Sequence, residues 1–145
     1  MDHISAENEL DLLLRFQDIK KGLDSNMPRV HRDEVIQARR EIVSSIVIDP
    51  KIKKALVDFA GMTRESSMTQ QGISSRSLVL ALSALQARAM LEGRTFVSPD
   101  DLQVLSPYLF AHRLMLLPGA PSGAEVVGNC LVRPMETLIK SMGKR

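Results

Sequence analysis

The 145-residue sequence is poor in aromatic residues, with no tryptophan, one tyrosine and four phenylalanines. It therefore lacks the aromatic platform on which single-stranded nucleic acids stack. A core with so few aromatic rings must be built from Leu, Ile, Val, Ala and Met, and such a core favours helices packed on helices over a sandwich or barrel. The composition predicts an all-α fold, a small helical bundle.

Cysteine and histidine are also scarce. The single cysteine, Cys130, excludes an internal disulfide and is compatible with a reducing compartment. The three histidines, at positions 3, 31 and 112, are far apart and do not combine with one cysteine into a zinc-binding spacing. We therefore expect no metal site, and we expect His112 to be a hydrogen-bonded or half-exposed helix residue.

Charge, hydropathy and motifs exclude further classes. The net charge of +2 is too small to indicate nucleic-acid binding. No apolar stretch is long enough to span a membrane and the N-terminus does not resemble a signal peptide, so a cytoplasmic location is expected. The phosphate-binding loop and the dinucleotide fingerprint are absent. The chain alone is therefore not expected to be catalytic.

Breaker and capping residues divide the chain into three parts. Residues 1–29 are predicted to form a helix, capped by Ser5 and ended by Gly22, with a linker after it. Residues 30–117 form the main helical domain. Residues 118–145 comprise a linker, an extended segment near 124–133 and a helix that starts at Pro134.

Two helices are predicted before the centre of the main domain. The first occupies residues 31–47, and its arginines, Arg32, Arg39 and Arg40, form either a solvated face or a surface for an acidic or phosphate-bearing partner. The second is capped by Asp49 and runs from Pro50 to about Thr63. Its apolar residues recur at helical spacing: Ile52, Ala55, Leu56, Phe59 and Ala60. Residues 63–72 are polar and without period, which predicts a mobile loop.

The central stretch, residues 71–117, contains two further helices. Gly72 lets the chain turn, and Ser74 or Ser75 is predicted to cap a helix that Gly93 ends. Leu78, Leu82 and Leu85 are its inward face. The next helix begins after Ser98, with Pro99 in its first turn and the carboxylates of Asp100 and Asp101 at its positive end.

Arg76 is unusual because it lies in the first turn of the helix that starts near Ser74. The N-terminus of a helix is already positive, so a cation is poorly placed there unless an anion binds. A bound anion would meet both free N–H groups and the guanidinium fork. The alternative is an exposed arginine that points into solvent or pairs with a nearby carboxylate.

The stretch resembles the lid domain of MoxR-family AAA+ ATPases. Those lids share a Gly-x-Ser-Pro-Arg start, a Gly-Arg-x-Tyr/Phe-Val turn, a Thr/Ser-Pro-Asp-Asp cap and a closing His-Arg-Leu/Ile. The corresponding segments here are GISSRS at 72–77, GRTFV at 93–97, SPDD at 98–101 and HRL at 112–114. The resemblance covers about residues 30–117, and Ser75 replaces the usual proline.

The resemblance implies that Arg76 is the sensor 2 arginine, the residue that reaches from the lid to the phosphates of ATP and assists hydrolysis. Ser74 and Ser75 would be nucleotide-binding neighbours. ATP and Mg²⁺ would be bound by the parent protein, with the Mg²⁺ ligands outside this chain and no cofactor tightly bound to the chain alone. The implied partners are an AAA+ core, neighbouring subunits of a hexameric ring, and a client protein that is remodelled or loaded with metal.

Two other functions fit the residues. The chain could be a free-standing helical interaction module without ATPase activity, using residues 63–72 and its exposed arginines as a binding surface. A small nucleic-acid-binding domain is the third possibility, although low charge and few aromatics argue against it.

Overall fold

The computed structural model describes residues 5–24 and 29–143. The helices and strands, in chain order, are α1 Ala6–Asp24, α2 Arg32–Ser45, α3 Pro50–Glu65, β1 Thr69–Gln71, α4 Ser75–Leu91, α5 Pro99–Phe110, β2 Met115–Leu116 and α6 Gly123–Met142, with a 3-10 turn at Ala111–Arg113. The predicted all-α class is confirmed. Within the described residues no helix is both long and apolar enough to cross a lipid bilayer.

Contacts within the chain divide it into two compact units, residues 1–36 and 37–145. In the first unit, Ser5 caps α1 as predicted, since the Asn8 N–H donates to its Oγ at 3.4 Å. The predicted stop at Gly22 is wrong, because α1 continues to Asp24 and a glycine in the last turn costs a helix little. The central part of the predicted linker, residues 25–28, lies outside the described residues, and the three-part division of the chain stays a prediction.

In the second unit, α3 and α5 both pack against α6 and enclose an apolar core. The five apolar residues predicted for the inner face of α3 are all buried. Phe59 and Phe110 meet at the centre, with ring centroids 5.3 Å apart and planes inclined at 52°. Asp49 caps α3 by accepting the Lys51 N–H at 2.7 Å, which confirms the predicted start at Pro50.

The extended segment predicted near 124–133 is wrong. Ser122 caps α6, which then runs unbroken through Pro134 to Met142. The predicted helix start at Pro134 is wrong for the same reason. The buried residues of α6 follow one helical stripe on both sides of the proline: Val126, Val127, Cys130, Leu131, Pro134, Met135 and Leu138. Burial of this stripe against α3 and α5 offsets the hydrogen bond that proline removes from the helix.

The mobile loop predicted at 63–72 is also wrong. Residues 63–65 are the last turn of α3, and β1 pairs antiparallel with β2, with Thr69 opposite Leu116. The Thr69 side chain is buried, and its Oγ1 donates to the Thr63 carbonyl at 2.6 Å. The pairing joins segments more than forty residues apart in sequence, so local periodicity carries no sign of it.

The end of α4 is joined to the start of α5 through one buried carboxylate. Asp101, which is 0% exposed, accepts from Arg94 Nη2 at 2.7 Å and from Arg88 Nε at 3.0 Å on Oδ1. Its Oδ2 accepts from Arg94 Nη1 and from the Ser98 N–H, both at 2.8 Å. Ser98 caps α5 as predicted and forms a capping box with Asp101, and Gly93 follows the end of α4 with φ +69°. Burial alone would raise the pKa of Asp101, but the bonds from Arg94 and Ser98 lower that pKa to about 2.

Replacement of this carboxylate tests its contribution to stability. Asp101→Asn is expected to lower the free energy of unfolding by about 2–3 kcal/mol, because an amide removes the buried negative charge on which the Arg88 and Arg94 guanidinium groups converge. The folded-state pKa lies below the ordinary value, so the stabilisation is present above about pH 4 and is lost as the pH falls towards 2. Urea unfolding over this pH range measures both effects.

Asp100→Asn is the matched control, since the Asp100 side chain is 70% exposed. Two results would contradict a stabilising role for the Asp101 carboxylate. One is equal stability of the two variants at neutral pH, and the other is an acid-dependent loss of stability that persists unchanged in Asp101→Asn.

Candidate functional site

The candidate site lies at the N-terminus of α4. Ser74 is the N-cap, with extended backbone (φ −78°, ψ 155°), and its Oγ accepts the Ser77 N–H at 3.3 Å. This decides between the two predicted capping serines. Ser75 is the first helical residue and Arg76 the second, and both are exposed. The helix is anchored just behind them, because Ser77 is buried.

The first turn of α4 presents unused donors. Within residues 5–24 and 29–143, the backbone N–H groups of Ser75 and Arg76 have no backbone acceptor. In the same part of the chain, no carboxylate lies within ion-pair distance of the Arg76 guanidinium. Arg76 therefore lies at the positive end of the helix dipole without a compensating carboxylate among the described residues, which is the arrangement that suits anion binding.

Gly72 is required because the backbone of α3 lies close to it, and not for the turn that the sequence predicted. Its φ is not positive. A Cβ at this position would lie 2.6 Å from the Arg64 backbone nitrogen and 2.7 Å from the Thr63 carbonyl carbon. Only glycine permits this approach of the chain to the end of α3 without displacement of backbone.

Ile73, the next residue, is held by the last turn of α3 through both of its backbone groups. Its N–H donates to Thr63 Oγ1 at 3.1 Å, and its carbonyl accepts from Arg64 Nε at 2.9 Å. Thr63 is fully buried and its Oγ1 also donates to the Ala60 carbonyl at 2.8 Å. Sequence reasoning missed Thr63 and Arg64, because both fall in the segment predicted to be a loop.

A cleft between α3 and α4 opens beside the first residue of α4. Its volume is about 290 Å³, and its walls are mostly aliphatic with two cationic side chains. The lining residues are Lys53, Leu56, Val57, Arg64, Ser75, Leu78, Val79 and Leu82. Arg76 does not line this cleft, so the cleft borders the candidate site through Ser75 alone.

Other candidate chemistry is absent from the described residues. They contain no cluster of three or more His, Cys, Asp or Glu side chains that could hold a metal ion. His112 is exposed in the 3-10 turn. Cys130 is buried in α6, and that burial raises the pKa of its thiol, which disfavours a reactive thiolate.

Comparison with known proteins points to one family. Residues 61–128 match the AAA lid domain family. The chain is 31% identical over 140 residues to the uncharacterized protein YeaC of Bacillus subtilis. The aligned region covers 97% of this chain and 43% of YeaC. It is 37% identical over 51 residues to the protein MoxR of Methylorubrum extorquens, which covers 35% of this chain and 15% of MoxR.

A crystal structure of a candidate ATPase from Cytophaga hutchinsonii has a similar fold. The TM-score is 0.57 at 21% sequence identity, over 97% of this chain and 43% of that protein. The chain thus spans less than half the length of YeaC and of this structure. At this identity the likeness concerns the fold alone.

The close approach at Gly72 gives a stability test. Gly72→Ala is expected to destabilise the chain by about 1–3 kcal/mol, because the added methyl group forces backbone apart between α3 and α4. Gly61→Ala is the matched control: Gly61 lies within α3 with open space around it, so alanine there should be neutral or stabilising by up to about 1 kcal/mol. Urea unfolding decides, and equal tolerance of both substitutions would contradict the packing described.

Proposed function

We propose that this chain is the lid domain of a MoxR-like AAA+ ATPase and the nucleotide-sensing part of that enzyme, with Arg76 as its sensor 2 arginine. The observation that carries the proposal is the exposed guanidinium in the first turn of α4, without a carboxylate partner among the described residues. A cation at a helix N-terminus is unfavourable by itself. The phosphates of ATP would neutralise it and would also accept the free backbone N–H groups.

The serine at position 75, where the family usually has proline, is compatible with this role. Ser75 occupies the first helical position, which proline and serine can both fill. The preceding Ser74 supplies the cap by a side-chain bond to Ser77. We assign Ser74 to building the helix start, since its oxygen is already engaged, and Ser75 to contacting nucleotide through its N–H and hydroxyl.

The proposed cofactors are ATP and Mg²⁺, bound mainly by an AAA+ core that would supply the phosphate loop and the metal ligands. The proposed partners are that core, neighbouring subunits of a ring, and a client protein that is remodelled or loaded with metal. A lid that contacts the phosphates only while ATP is present has different interaction energies in the two nucleotide states. That difference is what shifts a conformational equilibrium and couples hydrolysis to motion.

The test is substitution of the arginine in the ATPase that contains this lid. Arg76→Ala is expected to lower kcat for ATP hydrolysis by about 100-fold, the lower end of the range for removal of one preorganised donor to a transition state. The Km for ATP should change less, since most binding contacts lie in the core. Steady-state hydrolysis measures both constants.

The control is Arg133→Ala, which removes another exposed arginine, on α6, without a carboxylate partner in the described part of the chain. It should hydrolyse ATP at the wild-type rate. Wild-type hydrolysis by Arg76→Ala would refute the sensor role. Binding of a protein partner by this chain alone, undisturbed by Arg76→Ala, would favour the alternative of an interaction module without ATPase activity.

A further inference from the structure

The position of Arg76 depends on where α4 begins, and α4 begins one residue after Ser74. A helix propagates from its first turn with nearly fixed backbone geometry, so the placement of the residues just before the cap sets the origin and direction of the first turn. Ile73 is the last residue before the cap. Its side chain is 0% exposed and both of its backbone groups are bonded to α3.

The two residues that hold Ile73 differ in character. Thr63 is buried and is hydrogen-bonded to three residues: its Oγ1 to Ala60 and Ile73, and its carbonyl to Thr69. Its removal would disturb the core as a whole. Arg64 lies on the surface, and within the described residues its side chain makes one hydrogen bond, from Nε to the Ile73 carbonyl.

The bond from Arg64 to the Ile73 carbonyl adds little to the free energy of folding by itself. Ordering a long, exposed side chain costs roughly 2 kcal/mol of conformational entropy, and a single hydrogen bond to a backbone carbonyl contributes about as much or less. No carboxylate in the described part of the chain lies within ion-pair distance of the guanidinium. The contact therefore adds little to folding, while it constrains the direction in which α4 leaves α3.

We infer that Arg64 is a positioning residue for Arg76: its Nε–H bond to the Ile73 carbonyl fixes the start of α4 so that Arg76 meets the nucleotide phosphates. The inference rests on the proposed function of Arg76. It assigns to Arg64 an effect on turnover that acts through the backbone of residues 73–76, and it requires no contact of Arg64 with nucleotide.

Three substitutions separate the bond from the charge. Glutamine carries an N–H donor at the same number of bonds from the backbone as Arg Nε, without the charge. Lysine keeps the charge but has a methylene at that place, and methionine has neither donor nor charge. In the ATPase that contains this lid, Arg64→Met and Arg64→Lys are expected to lower kcat about tenfold, the effect of a small misplacement of a catalytic contact. Arg64→Gln is expected to stay within about twofold of wild type.

A double-mutant cycle distinguishes positioning from general destabilisation. If Arg64 acts only through Arg76, then adding Arg64→Met to Arg76→Ala should cause no further loss of kcat. Arg133→Met serves as the matched control, and its thermal midpoint should equal that of Arg64→Met within about 2 °C. If Arg64→Met does not fold, the comparison of Arg64→Gln with Arg64→Lys gives the same decision.

The outcomes are distinct. Three results would each overturn the positioning role and leave the sensor role of Arg76 intact. They are wild-type turnover in Arg64→Met, retained turnover in Arg64→Lys with loss in Arg64→Gln, and a full tenfold further loss in the double variant. Wild-type turnover in Arg76→Ala would overturn both. Loss in Arg64→Met and Arg64→Lys, recovery in Arg64→Gln and no additivity would support the inference.

Discussion

The contact between the last turn of α3 and the residues before α4 is the constraint on which the candidate site depends. At Gly72 the backbone of one segment lies against the backbone of the other with no room for a methyl group. One residue later, the N–H and the carbonyl of Ile73 are both bonded to α3. Because the core is close-packed around Ile73, this joint has little freedom to shift gradually.

The far end of α4 is held by an equally specific joint. Arg88 and Arg94 converge on the buried carboxylate of Asp101, which also caps α5. The helix is thus fixed to α3 at one end and to α5 at the other. These two joints tie the first turn of α4, and Arg76 with it, to the rest of the second unit.

Three helix caps and one buried helix face, all of which depend on neighbours in sequence, were predicted correctly. Capping by Ser5, Asp49 and Ser98 follows from short-range hydrogen bonds, and the buried face of α3 follows from its period. Placement of Arg76 in the first turn of a capped helix was also correct. Its role with nucleotide stays a prediction.

Features that depend on distant partners could not be predicted. The strands β1 and β2 are too short to have a period, and each exists because the other is present. The continuity of α6 through Pro134 depends on burial against α3 and α5, which outweighs the local preference of proline. The hydrogen bond from Arg64 to the Ile73 carbonyl spans nine residues of sequence, and the charge of Arg64 does not indicate that its partner is a backbone carbonyl. The sequence predicted only a turn for the GRTFV motif and a cap for the SPDD motif. In the structure the two motifs are joined, because Arg94 of the first donates to the Asp101 carboxylate of the second.

The central claim is that the first turn of α4 receives the phosphates of ATP. Hydrogen exchange of the ATPase that contains this lid, with and without Mg²⁺ and a non-hydrolysable ATP analogue, tests it directly. The account predicts that the amides of residues 75 and 76 become protected when the analogue binds, and that this protection is lost in Arg76→Ala while the rest of the second unit exchanges as before. Unchanged exchange at these amides in the wild-type protein under saturating nucleotide would contradict the account.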